Sequence, residues 1–211
     1  QPTIPQLGFQ SYNQMAWFGN DSGYVDLDSD MTFDKDNFSI SVWVKRAEIG
    51  VSQAIIGRSG GQTHYMQIGT NNQVYLNRYP TALTSSLTVA DTNWHHIVCT
   101  LGGSSSGNVY IDGVKDPSLN DNSIVNDIIG QNQIGVRGTD SDAGYTSADY
   151  TGCLTELALF DVELTHTEVQ ELYNDGEALD ALSHSKKTNL TAYWRDNGLN
   201  TWKVLEGSNH G

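Results

Sequence analysis

Three aspartates, Asp140, Asp142 and Asp149, lie in the segment Gly138-Thr-Asp-Ser-Asp-Ala-Gly-Tyr-Thr-Ser-Ala-Asp149, among residues that favour turns. Their spacing lets one loop converge three carboxylates on a point. A hard cation that takes oxygen ligands, calcium above all, suits such a set. The segment therefore predicts a calcium-supported loop, and Tyr145 within it joins the candidate ligand contacts. Aspartates exposed in solvated turns would leave the same pattern.

A second constellation does a different kind of chemistry. Tyr65 to Ile68 and Val74 to Tyr79 alternate in the manner of two neighbouring strands. Met66, Ile68, Val74 and Leu76 suit a core face. Tyr65, Gln67, Tyr75, Asn77 and Tyr79 then share the opposite face, and Arg78 takes the other parity. Aromatic plates beside amides are what a sugar accepts through stacking and hydrogen bonding, so a glycan or glycosylated surface is the expected partner. The competing reading is that these tyrosines only cover their cross-strand neighbours.

The elements that must position these residues are strands. Strand signals recur from Tyr24 to Asp161, separated by Gly, Asn, Asp and Ser, which predicts an all-β sandwich of two antiparallel sheets rather than βαβ units. In Phe38-Ser-Ile-Ser-Val-Trp-Val44, Phe38, Ile40, Val42 and Val44 share one face and Ser39, Ser41 and Trp43 the other. Trp94 to Leu101 and Asn108 to Asp112 flank a Gly/Ser loop, and Asp112-Gly113 follows as a tight turn. One short helix is expected near the end of the β region. Thr165 caps it, Glu168 completes a capping box, Val169, Leu172 and Tyr173 form its apolar stripe, and Asn174-Asp175-Gly176 stops it.

Charge narrows the partners. With 25 acidic and 11 basic side chains the net charge is -14, and no basic run exceeds Lys186-Lys187. Phosphate backbones would be repelled, so no nucleic acid is expected. No apolar run approaches the roughly 18 residues of a membrane helix, so no membrane insertion is expected either. The two cysteines, Cys99 and Cys153, each fall in an apolar strand-like segment, and the sequence leaves open whether they are bonded.

Seven pieces in order carry a family resemblance. They are Met15-Ala-Trp-Phe-Gly with Tyr24-Val-Asp26, Phe38 to Val44, Trp94-His-His-Ile97, Tyr110-Ile-Asp-Gly113, Ile134-Gly135, and Gly152 to Phe160 ahead of the helix. Over about Met15 to Asn174 the chain resembles the laminin-G-like, concanavalin A-like jelly rolls, and from His95 onward it is also similar to pentraxins. The resemblance implies a jelly roll over residues 1–176. A tail over 177–211 follows with an additional strand at Leu190-Thr-Ala-Tyr-Trp194, which either opens a next module or closes this sandwich in permuted order. It also implies a pentraxin-like calcium role for the Asp140 to Asp149 loop, without the Asp-Asn pair pentraxins supply elsewhere, and a second ion position near Asp21, Asp26 and Asp28. The pentraxin disulfide is not implied, since no cysteine stands near Ser41 or Val42. The arrangement is similar to surface modules of marine bacteriophage particles, which would place the protein outside the cell or on a virion, as an oligomer or in a tandem array.

Catalysis is not expected. Concanavalin A-like glucanases take two carboxylates from one strand, about 5 Å apart. The corresponding strand here, Cys153-Leu-Thr-Glu-Leu-Ala-Leu159, holds only Glu156. His95 and His96 are adjacent on a strand, face opposite ways and cannot share a metal. The leading expectation is a non-catalytic lectin-like module. A structural or adhesion module that binds protein partners is the alternative.

Overall fold

The computed structural model describes residues 16–18, 24–30, 37–58, 63–78, 81–103, 106–118, 131–135, 149–196 and 202–206. The strands are β1 Ala16–Phe18, β2 Val25–Asp30, β3 Asn37–Arg46, β4 Gln53–Arg58, β5 Thr63–Ile68, β6 Gln73–Arg78 and β7 Thr81–Thr88. They continue as β8 Trp94–Gly102, β9 Ser106–Ile111, β10 Val114–Lys115, β11 Gln131–Ile134, β12 Gly152–Phe160, β13 Leu190–Asp196 and β14 Trp202–Glu206. One α-helix, α1 His166–Tyr173, lies between β12 and β13. This is the expected jelly-roll sandwich.

One sheet has the order β10-β9-β8-β3-β12-β13-β14, with β1 also paired to β12, and the other has the order β2-β11-β4-β5-β6-β7. All pairings are antiparallel. The layers follow from alternation. On β3, Phe38, Ile40, Val42 and Val44 enter the core between the sheets, where they meet Met66, Ile68, Val74 and Leu76 from the second sheet. Each such side chain contributes roughly 2 kcal/mol by leaving water.

The other face of the larger sheet is covered as well. Val98, Tyr110, Ala158, Phe160 and Tyr193 form a second apolar layer with Leu164, Val169, Leu172 and Ala181 from α1 and its flanks. Helix α1 starts as the capping box requires: Thr165 accepts from Glu168 N while the Glu168 side chain accepts from Thr165 N at 2.7 Å. It ends at Asn174, whose left-handed backbone (φ 46°) closes the turn. Trp43, His96 and Tyr173 stack between sheet and helix with ring centroids 5.1 to 6.1 Å apart.

Two strands share one edge of β12. Gly152, Cys153 and Leu154 pair with β1, whereas Leu157 to Phe160 pair with β13. The tail strand therefore lies in the larger sheet, placing Ala192 and Trp194 in the inter-sheet core and Leu190 and Tyr193 in the outer layer. Both cysteines are free and buried. Cys99 is level with Ile40 and Cys153 with Lys45 on the intervening strand, five residues apart, about 17 Å along β3 and out of bonding reach.

Candidate functional site

Pairing of β5 with β6 sets Gln67 opposite Tyr75 and Tyr65 opposite Asn77. Since Met66, Ile68, Val74 and Leu76 occupy the core, the Gln67–Tyr75 pair stands on the face away from it. The side chains of Tyr65 and Asn77, and Tyr79 entirely, lie outside the described residues. Tyr75 is half-buried and held at two points. A methyl group at Gly69 would fall 2.6 Å from Tyr75 Cε2, so the ring lies directly against that backbone. Its hydroxyl accepts from Asn71 Nδ2 at 2.6 Å, and Asn71 Oδ1 in turn accepts from Gln73 N at 3.2 Å. Beside it, Ser52 Oγ donates to Gln67 Oε1 at 3.2 Å. Gly69, Asn71, Gln73 and Ser52 were not singled out from sequence, because Gly-Thr-Asn-Asn reads there only as a turn.

The turns around this pair are tied from beneath by Arg46, which is 1% exposed. Its guanidinium donates to Gln53 Oε1 (2.7 Å), Asn72 Oδ1 (2.8 Å), Val89 O (2.9 Å) and Val51 O (3.0 Å). Every acceptor is neutral. Asn72 Oδ1 also accepts from Gly50 N at 2.9 Å, joining the 47–52 loop to the turn that carries Gly69 and Asn71.

Asp140, Asp142 and Tyr145 of the expected calcium loop lie outside the described residues, as does Asp21; Asp26 and Asp28 are on β2, and their side chains lie outside the described residues. The ends of the loop are joined. Tyr150 N donates to Gly135 O at 2.7 Å, and Gly135 N donates to Ile55 O at 2.9 Å. Ile55 adjoins Ala54, the register partner of Gln67, so the loop is rooted one strand from the Gln67–Tyr75 pair. Asp149 Oδ1 is buried and has no hydrogen-bond partner among the described residues. A buried carboxylate oxygen without a donor is the kind of atom a cation satisfies. Among the described residues, no three His, Cys, Asp or Glu converge on a metal position.

The remaining polar groups of interest are structurally engaged. His95 bridges Asp112 (2.7 Å) and Asp91 (3.0 Å); burial opposes its protonation, but the two carboxylates outweigh it and raise its pKa above the ordinary histidine value. His96 bonds Ser41 at 2.8 Å, and burial takes its pKa down to about 3. Glu156 sits in a bulge of β12 with φ 52° and is 4% exposed. Its carboxylate accepts from Tyr193 OH and from Arg195 Nε (2.5 Å) and Nη2 (2.9 Å), and Arg195 also reaches Asp180 at 3.2 Å. Burial pushes the Glu156 carboxyl up to about 7 against the pull of Arg195.

The family model Laminin_G_3, described as the Concanavalin A-like lectin/glucanases superfamily, matches residues 18–170. The chain belongs to this superfamily. No curated protein is significantly similar in sequence. Among solved structures, this laminin-G jelly roll is similar to a Bacteroides ovatus protein provisionally named for carbohydrate binding. The TM-score is 0.72 and the identity 15%, over 94% of this chain and 57% of that one, so the chain spans little more than half of that neighbour's length. It is also similar to a heptameric SAP-like pentraxin from Limulus polyphemus (TM-score 0.57, 13% identity, 76% of this chain and 81% of that one). A third similar structure is domain 4 of a GH43 arabinanase from Geobacillus stearothermophilus in complex with arabinotriose (TM-score 0.50, 17% identity, 65% and 66%). At these identities the likeness is one of fold.

Proposed function

We propose that the protein is a non-catalytic carbohydrate-binding module whose ligand face centres on Tyr75 and Gln67, with calcium supporting the neighbouring loop that ends at Asp149. The observation that carries this reading is the fixed orientation of Tyr75, held between the Gly69 backbone and the Asn71 amide on a sheet face turned away from the core. An aromatic ring that needs no reordering on binding gives stacking at low entropic cost. The carbohydrate-binding name of one structural neighbour and the bound arabinotriose of another support the same class of ligand. For a non-catalytic role, the support is that Glu156 is enclosed by Tyr193 and Arg195 rather than presented beside a second free carboxylate.

Calcium is supported by the unpartnered Asp149 Oδ1 at the closed root of the loop. Asp140 and Asp142 would complete its ligand set. The test is a glycan array probed with and without calcium, paired with thermal unfolding. Hits that vanish in chelator, and a melting temperature that rises with added calcium, are expected, because an ion bound only to the native state stabilises it. An unchanged melting temperature removes calcium from the reading. A blank array in both conditions removes the lectin role and favours an adhesion or decoration module on a cell or virion surface. The heptameric state of the pentraxin neighbour motivates that alternative, and light scattering of the purified chain measures it.

A further inference from the structure

We infer that the Tyr75 ring and the side chains around it form a preorganised subsite for one neutral pyranose, and that it discriminates against sialylated and sulfated glycans. This rests on the carbohydrate-binding reading and narrows it to a ligand class. The groups around the ring are Gln67, Ser52, Asn71 and Gln73, whose Oε1 the tyrosine hydroxyl reaches at 3.5 Å, all amides or a hydroxyl. Gln67 Oε1 is engaged by Ser52, whereas the Gln67 amide nitrogen donates to no described residue, and its N–H groups are of the kind that sugar hydroxyls accept. Neutral hydroxyls against amides and an aromatic plate are a matched set. An anionic sugar is favoured where a charged donor stands beside such groups.

Among the described residues the site offers no basic side chain, and the calcium proposed for the loop that ends at Asp149 would be rooted on the far side of β4 from this pair. Arg46 is the basic group nearest in the hydrogen-bonded framework, and it is enclosed, with four of its N–H groups engaged by Gln53, Asn72, Val89 and Val51. The loop it ties down, 47–52, carries the exposed carboxylate Glu48, and the whole chain bears a net charge of -14. A carboxylate or sulfate brought to this face would meet charge of its own sign and, among the described residues, no charged donor to offset it.

The experiment is one array printed with neutral oligosaccharides and their sialylated and sulfated counterparts, probed with the wild type and with Asn71→Ala and Gly69→Ala. Asn71→Ala removes the tie on the tyrosine hydroxyl from an exposed turn position, and Gly69→Ala drives a Cβ into the ring. Melting temperatures report folding, and if Gly69→Ala does not fold, Asn71→Ala carries the test. The expected result is wild-type binding to neutral glycans, with anionic counterparts weaker by about tenfold or more and both folded variants weakened by a similar factor. Equal or tighter binding of the anionic glycans overturns the discrimination. Wild-type affinity in folded variants overturns the subsite while the lectin reading stands, and a blank array with the wild type overturns both.

Discussion

Glu156 is the residue whose role the sequence hid most completely. Read as one acid in an apolar strand it looks ordinary, yet with φ 52° it adds a residue to β12 and moves the core positions from Leu154 to Leu157 and Leu159. Nothing in Cys153-Leu-Thr-Glu-Leu-Ala-Leu159 announces that step, because the left-handed backbone is adopted without Gly or Asn. Removing its carboxylate with Glu156→Ala leaves Arg195 with Asp180 alone and takes the acceptor from the buried Tyr193 hydroxyl, and urea titration is expected to show a loss of about 3 kcal/mol. Titration of Glu156, His95, His96 and Asp116 shapes the pH profile. Glu156 is raised from 4.5 to about 7 and His95 is raised above 6.5, so the native state holds both protons more tightly. Their contributions are complete below those ordinary values and fade as pH rises through the higher native ones. Asp116 acts oppositely: burial opposes its ionisation, but donors from Ser118, Leu87 and Ser86 take it from 3.8 to about 2. Its contribution holds above 3.8 and is lost toward pH 2. His96, taken from 6.5 to about 3 by burial, gives stability that is complete above 6.5 and lost as pH falls, so chemical unfolding across pH is expected to show a broad maximum between 4.5 and 6.5, where its gain offsets the Glu156 loss, with Glu156→Gln moving that maximum to higher pH.

At the scale of elements, legibility followed how local the signal was. Strand β3 and helix α1 were readable residue by residue, since alternation and a capping box are written in consecutive positions. Thr165→Ala removes that cap and is expected to lower stability by about 1 kcal/mol in thermal unfolding. The β5–β6 face was legible in parity but not in the detail that matters. That Tyr75 rests on Gly69 depends on a turn folding back, which no spacing rule reports. Strand β12 depends on a similar close approach. A Cβ at Gly152, where φ is 139°, would stand 2.0 Å from Lys45 O, so Gly152→Ala must part β12 from β3. The expected outcome is a loss of several kcal/mol, on the order of 3, or failure to fold, read from near-UV circular dichroism.

For the whole molecule, the tail from residue 177 is part of both apolar layers through Leu190, Ala192, Tyr193 and Trp194. A chain ended at Gly176 would forfeit roughly 2 kcal/mol for each of the larger side chains, a sum comparable with the entire stability of an ordinary domain. Loss of the cooperative melting transition is the expected result, and a truncated protein that melted as the full chain does would contradict it. The sequence left the destination of this strand open because pairing across 30 residues is set by which edge is free, and the free edge is the half of β12 that β1 does not reach. The shared edge means that β1 and β13 run in line along β12, one taking up where the other stops. The order in which the gene spells the strands is therefore separable from the shape they make: a permuted gene that starts before β13 and runs from β14 through a linker into β1 would encode the same sandwich from a different first word.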